Sequence, residues 1–213
     1  MGKKYIKDIK GIHVQKLYNE LAKRGMKSNT IKKIANILHS TLKQAVRDDL
    51  LLKNPCEAAD IPKTEQKERR VLTAKEQREF IDFVSDSAKW QRYYPLFIMA
   101  FGTGMRIGEL LALRWNDLDF KEKSIRVNKT LQYIQVEGSR ECKFIVQSPK
   151  TKQSIRTIPM LNNVAEALKL HREGQRKDII MLGGIWQKSD NKDLRNLVFT
   201  TDTGNPIDRN SIN

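Results

Sequence analysis

The chain has 213 residues, of which 39% are hydrophobic and 31% charged, a balance that builds a packed core and excludes a disordered polyelectrolyte. Lys and Arg number 40 against 25 Asp and Glu, a formal charge of +15 spread along the whole chain, and a field of that sign favours a polyanion: nucleic acid, an anionic membrane surface, or the ribosome-like setting of a merely basic protein. Cys56 and Cys142 form no CxxC, which argues against a zinc site or a disulfide framework and suits the cytosol.

The Met-Gly-Lys-Lys start has no apolar stretch behind it and does not read as a signal peptide. The longest apolar run, residues 96–101, is far too short to span a bilayer. Nucleic acid is therefore the leading polyanion.

In chain order, residues 12–24 read as a helix: Val14, Leu17, Tyr18, Leu21 and Ala22 share one face, and Gly25 stands where a helix stops. A longer helical pattern follows, with an apolar stripe of Ile31, Ile34, Ala35, Leu38, Leu42, Ala45 and Val46. Ser28 or Asn29 is placed to cap its first turn. The opposite face carries Lys32, Lys33, Asn36, His39, Lys43 and Arg47, either a solvated helix face or a surface for phosphates. Asn54-Pro55 ends this region. Residues 60–70 are polar, charged and without apolar period, and read as a linker between domains.

Thr73 and Glu76 have capping-box spacing, and Phe80, Ile81, Phe83 and Val84 supply the buried side of the helix they open. A second apolar helix over 94–101 stops at Gly102-Thr103-Gly104, and a third is expected over about 106–115. Strand patterns then occupy 124–128, 131–136, 143–147 and 155–158, which together predict a small antiparallel sheet. Residues 163 to about 176 return to helix, and 197–199 is a last short strand candidate. The fold class expected is α+β, mainly helical.

Two segments carry the chemistry. In TGMRIGELLALRW (103–115), a tight glycine turn delivers Arg106 to the start of a largely apolar helix. An arginine fixed there offers a fork of N–H donors to two oxygens of one phosphate, with the helix N-terminus favouring the same anion. The alternative is a structural ion pair with a carboxylate such as Glu109. In PKTKQSIRTIP (149–159), a basic cluster precedes a strand, with Lys150 at a hairpin tip. A lysine beside a phosphate is positioned to donate its proton to a departing alkoxide; otherwise it is an exposed turn lysine.

Together these motifs resemble those of the tyrosine recombinase, or phage integrase, family, most closely integrases of conjugative transposons and temperate phages. The likeness is strongest over about 70–160. NTIKKIANILHSTLKQAV (29–46) and KNPCEAADIPK (53–63) resemble the later part of that family's helical, SAM-like core-binding domain. The resemblance implies a partial core-binding domain at 1–63, a linker at 64–70 and the N-terminal part of a catalytic domain at 71–213. It implies enzymes that clamp double-stranded DNA and exchange strands through a 3′-phosphotyrosine, with neither metal nor other cofactor, in the bacterial cytoplasm at the nucleoid and away from the membrane. Self-association on DNA is expected of the parent family.

Residue by residue, Arg106 matches the first catalytic arginine, Lys150 the lysine that protonates the leaving oxygen, and Glu109 an acidic position that supports the site. Lys152 and Arg156 are assigned to the DNA backbone, as are Lys27, Asn29, Thr30, Lys32, Lys33, Asn36, His39 and Lys43. Two departures stand out. None of His13, His39 and His171 begins the family's later His-x-x-Arg motif, and Tyr5, Tyr18, Tyr93, Tyr94 and Tyr133 all precede Lys150, whereas the family's nucleophile follows it. The chain is accordingly expected to be an interior piece of a recombinase, able to bind a phosphate but not to form the covalent intermediate. A non-catalytic DNA-binding regulator built on the same fold shares every residue with that reading. A basic RNA-binding protein gives Arg106 and Lys150 no reason to stand in their motifs.

Overall fold

A computed structural model describes residues 5–63, 70–149, 154–187, 189 and 191–212. The chain is a mainly helical α+β protein in two compact units, Met1–Val71 and Leu72–Asn213. No helix among the described residues is long and apolar enough to cross a membrane.

The first unit is built on helices α1 (Gly11–Lys23) and α2 (Ser28–Arg47). Apolar residues three and four apart put Val14, Tyr18 and Leu21 of α1 against Ile31, Ala35 and Leu42 of α2. Gly25 has φ +79 and marks the stop after α1. The expected Ser28 or Asn29 cap is not formed: Lys27 is the N-cap residue without a side-chain cap, and the Ser28 hydroxyl instead donates to the Pro62 carbonyl at 2.8 Å. That bond ties the returning chain to the helix start. Asn54 does similar work, donating to the His39 carbonyl and accepting from the Cys56 N–H, each at 3.0 Å. The 3-10 turn Pro55–Ala58 is thereby fixed, and Cys56 is buried in the core. Beside it, burial pushes the Tyr18 hydroxyl up to about 12, with the neighbouring thiol adding to the shift.

The second unit opens with α3 (Ala74–Asp86), whose Thr73–Glu76 capping box forms as expected, the Thr73 N–H reaching the carboxylate at 2.9 Å. Phe83 is exposed rather than buried. Phe80 serves the packing side, edge-to-face on Phe97 and Phe101 of α4 (Tyr94–Thr103). The expected third helix is shorter than its apolar pattern: α5 spans only Ile107–Leu111. The chain leaves the helix because residues 113–115 are claimed by a distant segment. The Val198 N–H donates to the Leu113 carbonyl at 2.8 Å and the Trp115 N–H to the Asn196 carbonyl at 3.1 Å, closing a bridge between Arg114 and Leu197.

Among the described residues the strands form two sheets instead of one. β1 (Leu118–Asp119), β2 (Ser124–Val127) and β5 (Arg156–Pro159) make an antiparallel sheet in the order β1-β2-β5, with Ile125 opposite Ile158. Among the described residues β3 (Thr130–Gln135) and β4 (Cys142–Gln147) pair only with each other, Thr130 opposite Gln147 and Gln135 opposite Cys142. Helix α6 runs over Asn162–Leu182, beyond its expected end. Its Val164 and Leu168 join Leu96, Met99, Leu110, Ile125 and Val198 in one core.

Candidate functional site

Arg106 reaches its position through three local devices. Helix α4 ends on Gly104 at φ +61, a left-handed conformation that glycine adopts without strain. Met105 is buried and anchors the turn. Arg106 then takes an extended conformation as the N-cap residue of α5, and its backbone N–H donates to Glu109 Oε2 at 3.1 Å. The helix that follows has five residues, too short for its dipole to add much to anion binding. Any anion drawn to this turn is therefore held by the guanidinium and not by the helix dipole.

Glu109 is the hub. Its side chain is only 8% exposed, and its carboxylate accepts from two arginines. Arg156 Nη1 donates to Oε1 at 3.1 Å and Nη2 to Oε2 at 2.8 Å, a two-pronged pair. Arg106 Nη1 donates to Oε1 at 3.2 Å. The Arg156 fork, opposed by burial and aided by the Arg106 N–H, holds the Glu109 carboxyl below the usual carboxylate range. Reciprocally, Glu109 raises the Arg156 pKa. The Arg106–Glu109 ion pair weighed from the sequence is therefore present, yet 80% of the Arg106 side chain is exposed, and Glu109 is its one side-chain hydrogen-bond partner among the described residues. Most of its five N–H donors face solvent. Beside them lies a cavity of about 500 Å³ lined by Arg106, Thr130, Gln132, Tyr133, Asp208 and Arg209, among others. A second cavity of about 620 Å³, around Trp115, Arg172 and Trp186, shares no lining residue with it.

Gly108 sets how closely α5 approaches β3. A Cβ there would lie 2.5 Å from Thr130 Oγ1 and 3.1 Å from the Leu131 carbonyl oxygen, and the latter is backbone that cannot rotate away. Gly108→Ala is expected to force the elements apart and cost about 1–3 kcal/mol. An unchanged urea midpoint for this variant would contradict the packing described.

Lys150 and Lys152 lie outside the described residues. Strand β4 pairs with β3 and β5 with β2, so the strands flanking this segment belong to different sheets and are not two arms of one hairpin. Arg156, assigned from its motif to the DNA backbone, opens β5 and faces Glu109.

On α2, Asn29, Lys32, Lys33, Asn36 and Lys43 are all exposed and fall within an arc of roughly 100° at helical spacing. The arc extends along about 20 Å of helix and lies away from the buried stripe of Ile31, Ala35 and Leu42. Residues 28–47 contain no Asp or Glu, so nothing within the helix neutralises that face. Thr30 and Lys27 are exposed beside it, and His39 is half-buried. Sequence spacing does not reveal the pairing of Glu109 with Arg156, because 47 residues separate them. Sequence likewise does not reveal the part-buried Lys129–Asp117 pair at 2.6 Å, which braces the turn after Trp115.

Comparison with known proteins gives a consistent picture. A sequence profile of the phage integrase family matches residues 70–213. A XerC-like tyrosine recombinase from Caldanaerobacter subterraneus subsp. tengcongensis is 38% identical over 209 residues, covering 96% of this chain and 53% of that protein. The ICEBs1 integrase of Bacillus subtilis is 28% identical over 76% of this chain and 42% of its own length. The chain thus spans about half the length of the curated relatives it matches. Among solved structures, the Tn1549 transposon integrase in complex with a circular intermediate DNA superposes with a TM-score of 0.77 at 23% identity, covering 95% of this chain and 61% of that one. At that identity the likeness is one of fold.

Proposed function

The chain belongs to the phage integrase family, and on that premise we propose that it is a DNA-binding portion of a site-specific tyrosine recombinase of a mobile element, without strand-transfer activity by itself. The observation that carries this reading is the Arg106 guanidinium. It is exposed and anchored at its base by a buried carboxylate whose charge is already matched by Arg156. Such a group suits two non-bridging oxygens of a phosphodiester and stabilises the charge that develops on them during phosphoryl transfer.

In the whole protein the reaction is a transesterification. A tyrosine oxygen attacks the scissile phosphorus, the 5′-oxygen departs with a proton supplied by Lys150, and the 3′-phosphotyrosine retains the bond energy for rejoining. The chemistry asks for no metal. This chain has no tyrosine after Lys150, so it lacks a nucleophile in the family's order and stops at phosphate binding. The acid-free face of α2, with Lys32, Lys33 and Lys43, supplies a sequence-independent grip on the duplex. That the Tn1549 integrase is bound to DNA in its structure supports duplex DNA as the partner.

Binding of the chain to a fluorescent duplex, measured against KCl concentration, tests this. The logarithm of affinity is expected to fall linearly and steeply with the logarithm of salt. Lys32→Ala, Lys33→Ala and Lys43→Ala combined should flatten the slope by roughly 2–3. A flat response in the unmodified chain would remove the basic-surface argument, and a phosphotyrosine adduct trapped on a nicked suicide duplex would refute the absence of strand transfer.

A further inference from the structure

We propose that Arg156 is a positioning residue: through Glu109 it keeps the Arg106 guanidinium turned outward and free for a phosphate, and it makes no phosphate contact of its own. This rests on the reading that Arg106 binds phosphate, and it reassigns Arg156 from the DNA-backbone role its basic motif implies.

The geometry is a chain of three groups. A carboxylate as buried as Glu109, 8% exposed, must find donors inside the protein. Arg156 gives it two, at 3.1 and 2.8 Å, one to each oxygen. Arg106 gives its backbone N–H and a single Nη1 donor, the latter at 3.2 Å. The shortest bond thus belongs to Arg156, and its fork is the largest influence holding the Glu109 carboxyl ionised. Among the described residues, the cation left on that carboxylate without Arg156 is Arg106. Its guanidinium would close on both oxygens and withdraw from solvent, where 80% of its side chain now lies. Two guanidiniums and one carboxylate sum to one positive charge, and Arg156 ensures that this charge resides on the exposed member. Arg156 commits one N–H of each Nη to Glu109, and its side chain is a third exposed against 80% for Arg106, so a phosphate meets fewer free donors on Arg156 than on Arg106. Lysine is a poor substitute, because a point-charge ammonium does not present two parallel donors to one carboxylate.

The test compares Arg106→Ala, Arg156→Ala, Arg156→Lys and the Arg106→Ala/Arg156→Ala pair in the full chain, by duplex binding across a KCl series. Each alanine single variant is expected to weaken binding roughly 3–10-fold and to lower the salt slope by about 0.9, the value of one phosphate contact. In the double variant neither quantity should fall further. Multiplying losses, with a slope lowered by about 1.8, would make Arg156 an independent phosphate contact and overturn the proposal.

A second measurement needs no DNA: hydrogen exchange of the Arg106 guanidinium protons by NMR. Slower exchange in Arg156→Ala, as Arg106 folds back onto Glu109, is expected. Unchanged exchange would overturn the proposal whatever the DNA result. Should Arg156→Ala fail to fold, Arg156→Lys replaces it, with partial slowing expected and wild-type exchange counting against. If Arg106→Ala binds DNA like the wild type, the phosphate reading fails while the exchange measurement still decides the role of Arg156.

Discussion

Replacing Trp115 with alanine is expected to lower the unfolding free energy of the second unit by about 3–5 kcal/mol. The indole is 9% exposed and belongs to the main core. It also stands where the chain leaves α5 and is captured by residues 196–198. Its Nε1–H donates to Gln175 Oε1 at 2.7 Å, and Gln175 in turn donates from Nε2 to the Leu197 and Val198 carbonyls and to Thr200 Oγ1. The amide thus links α6 to the segment that shortens α5. Truncating the indole opens a cavity and leaves a buried acceptor without its donor. Trp115→Phe separates the two effects, keeping much of the ring volume while removing the N–H, for an expected loss of about 1–3 kcal/mol. Urea unfolding followed by circular dichroism checks both. A loss below about 1 kcal/mol for the alanine variant would mean that Trp115 does not organise this junction.

Glu109→Ala should have the next largest effect, and one that depends on pH. Removing one partner of a fully buried ion pair costs about 3–5 kcal/mol. Arg156 is a third exposed, so water relieves part of that cost and the expected loss at neutral pH is about 2–3 kcal/mol. The sign of the pH dependence follows from the lowered carboxyl pKa. As pH falls, the unfolded chain takes up a proton at Glu109 near its ordinary value of about 4.3 while the folded chain does not. The stabilisation is therefore complete above about pH 4.3 and disappears as pH falls through the lower folded value. Glu109→Gln, which keeps the shape but cannot ionise, should match the wild type more closely in acid than at neutrality. A stability difference between the two proteins that stays constant from neutral to acidic pH would show that the Glu109 charge is not what Arg156 and Arg106 hold.

The parts of this protein legible in its sequence are those governed by neighbours a few residues apart. Helices α1 to α4 follow their apolar spacing, and Thr73 and Glu76 satisfy each other's N–H groups within one turn. The arc of Lys32, Asn36 and Lys43 on α2 is fixed by helical geometry alone. Within the candidate site, Arg106 and Glu109 were legible for the same reason, since three residues of separation place one carboxylate under one N-cap.

Apart from Phe83, which the pattern of α3 places inward and the structure leaves exposed, the departures arise where distant residues compete for the same backbone or charge. The apolar pattern through Ala112 and Leu113 favours continuing α5, yet the backbone there bonds to 196–198 instead. Nothing within a helical window records that rival. The strand patterns were found, but their division into β1-β2-β5 and β3-β4 depends on which edges meet, and alternation specifies a face without specifying a partner. Arg156 in its motif is simply another basic residue; only the fold brings it across 47 positions to close on a buried carboxylate. Sequence by itself determined the charge, the existence and order of the helices and the Arg106–Glu109 spacing, because these arise from composition and short-range periodicity. Tertiary structure alone decided where α5 ends, how the sheets divide and which cation neutralises Glu109, because each is settled by hydrogen bonds between segments far apart in the chain.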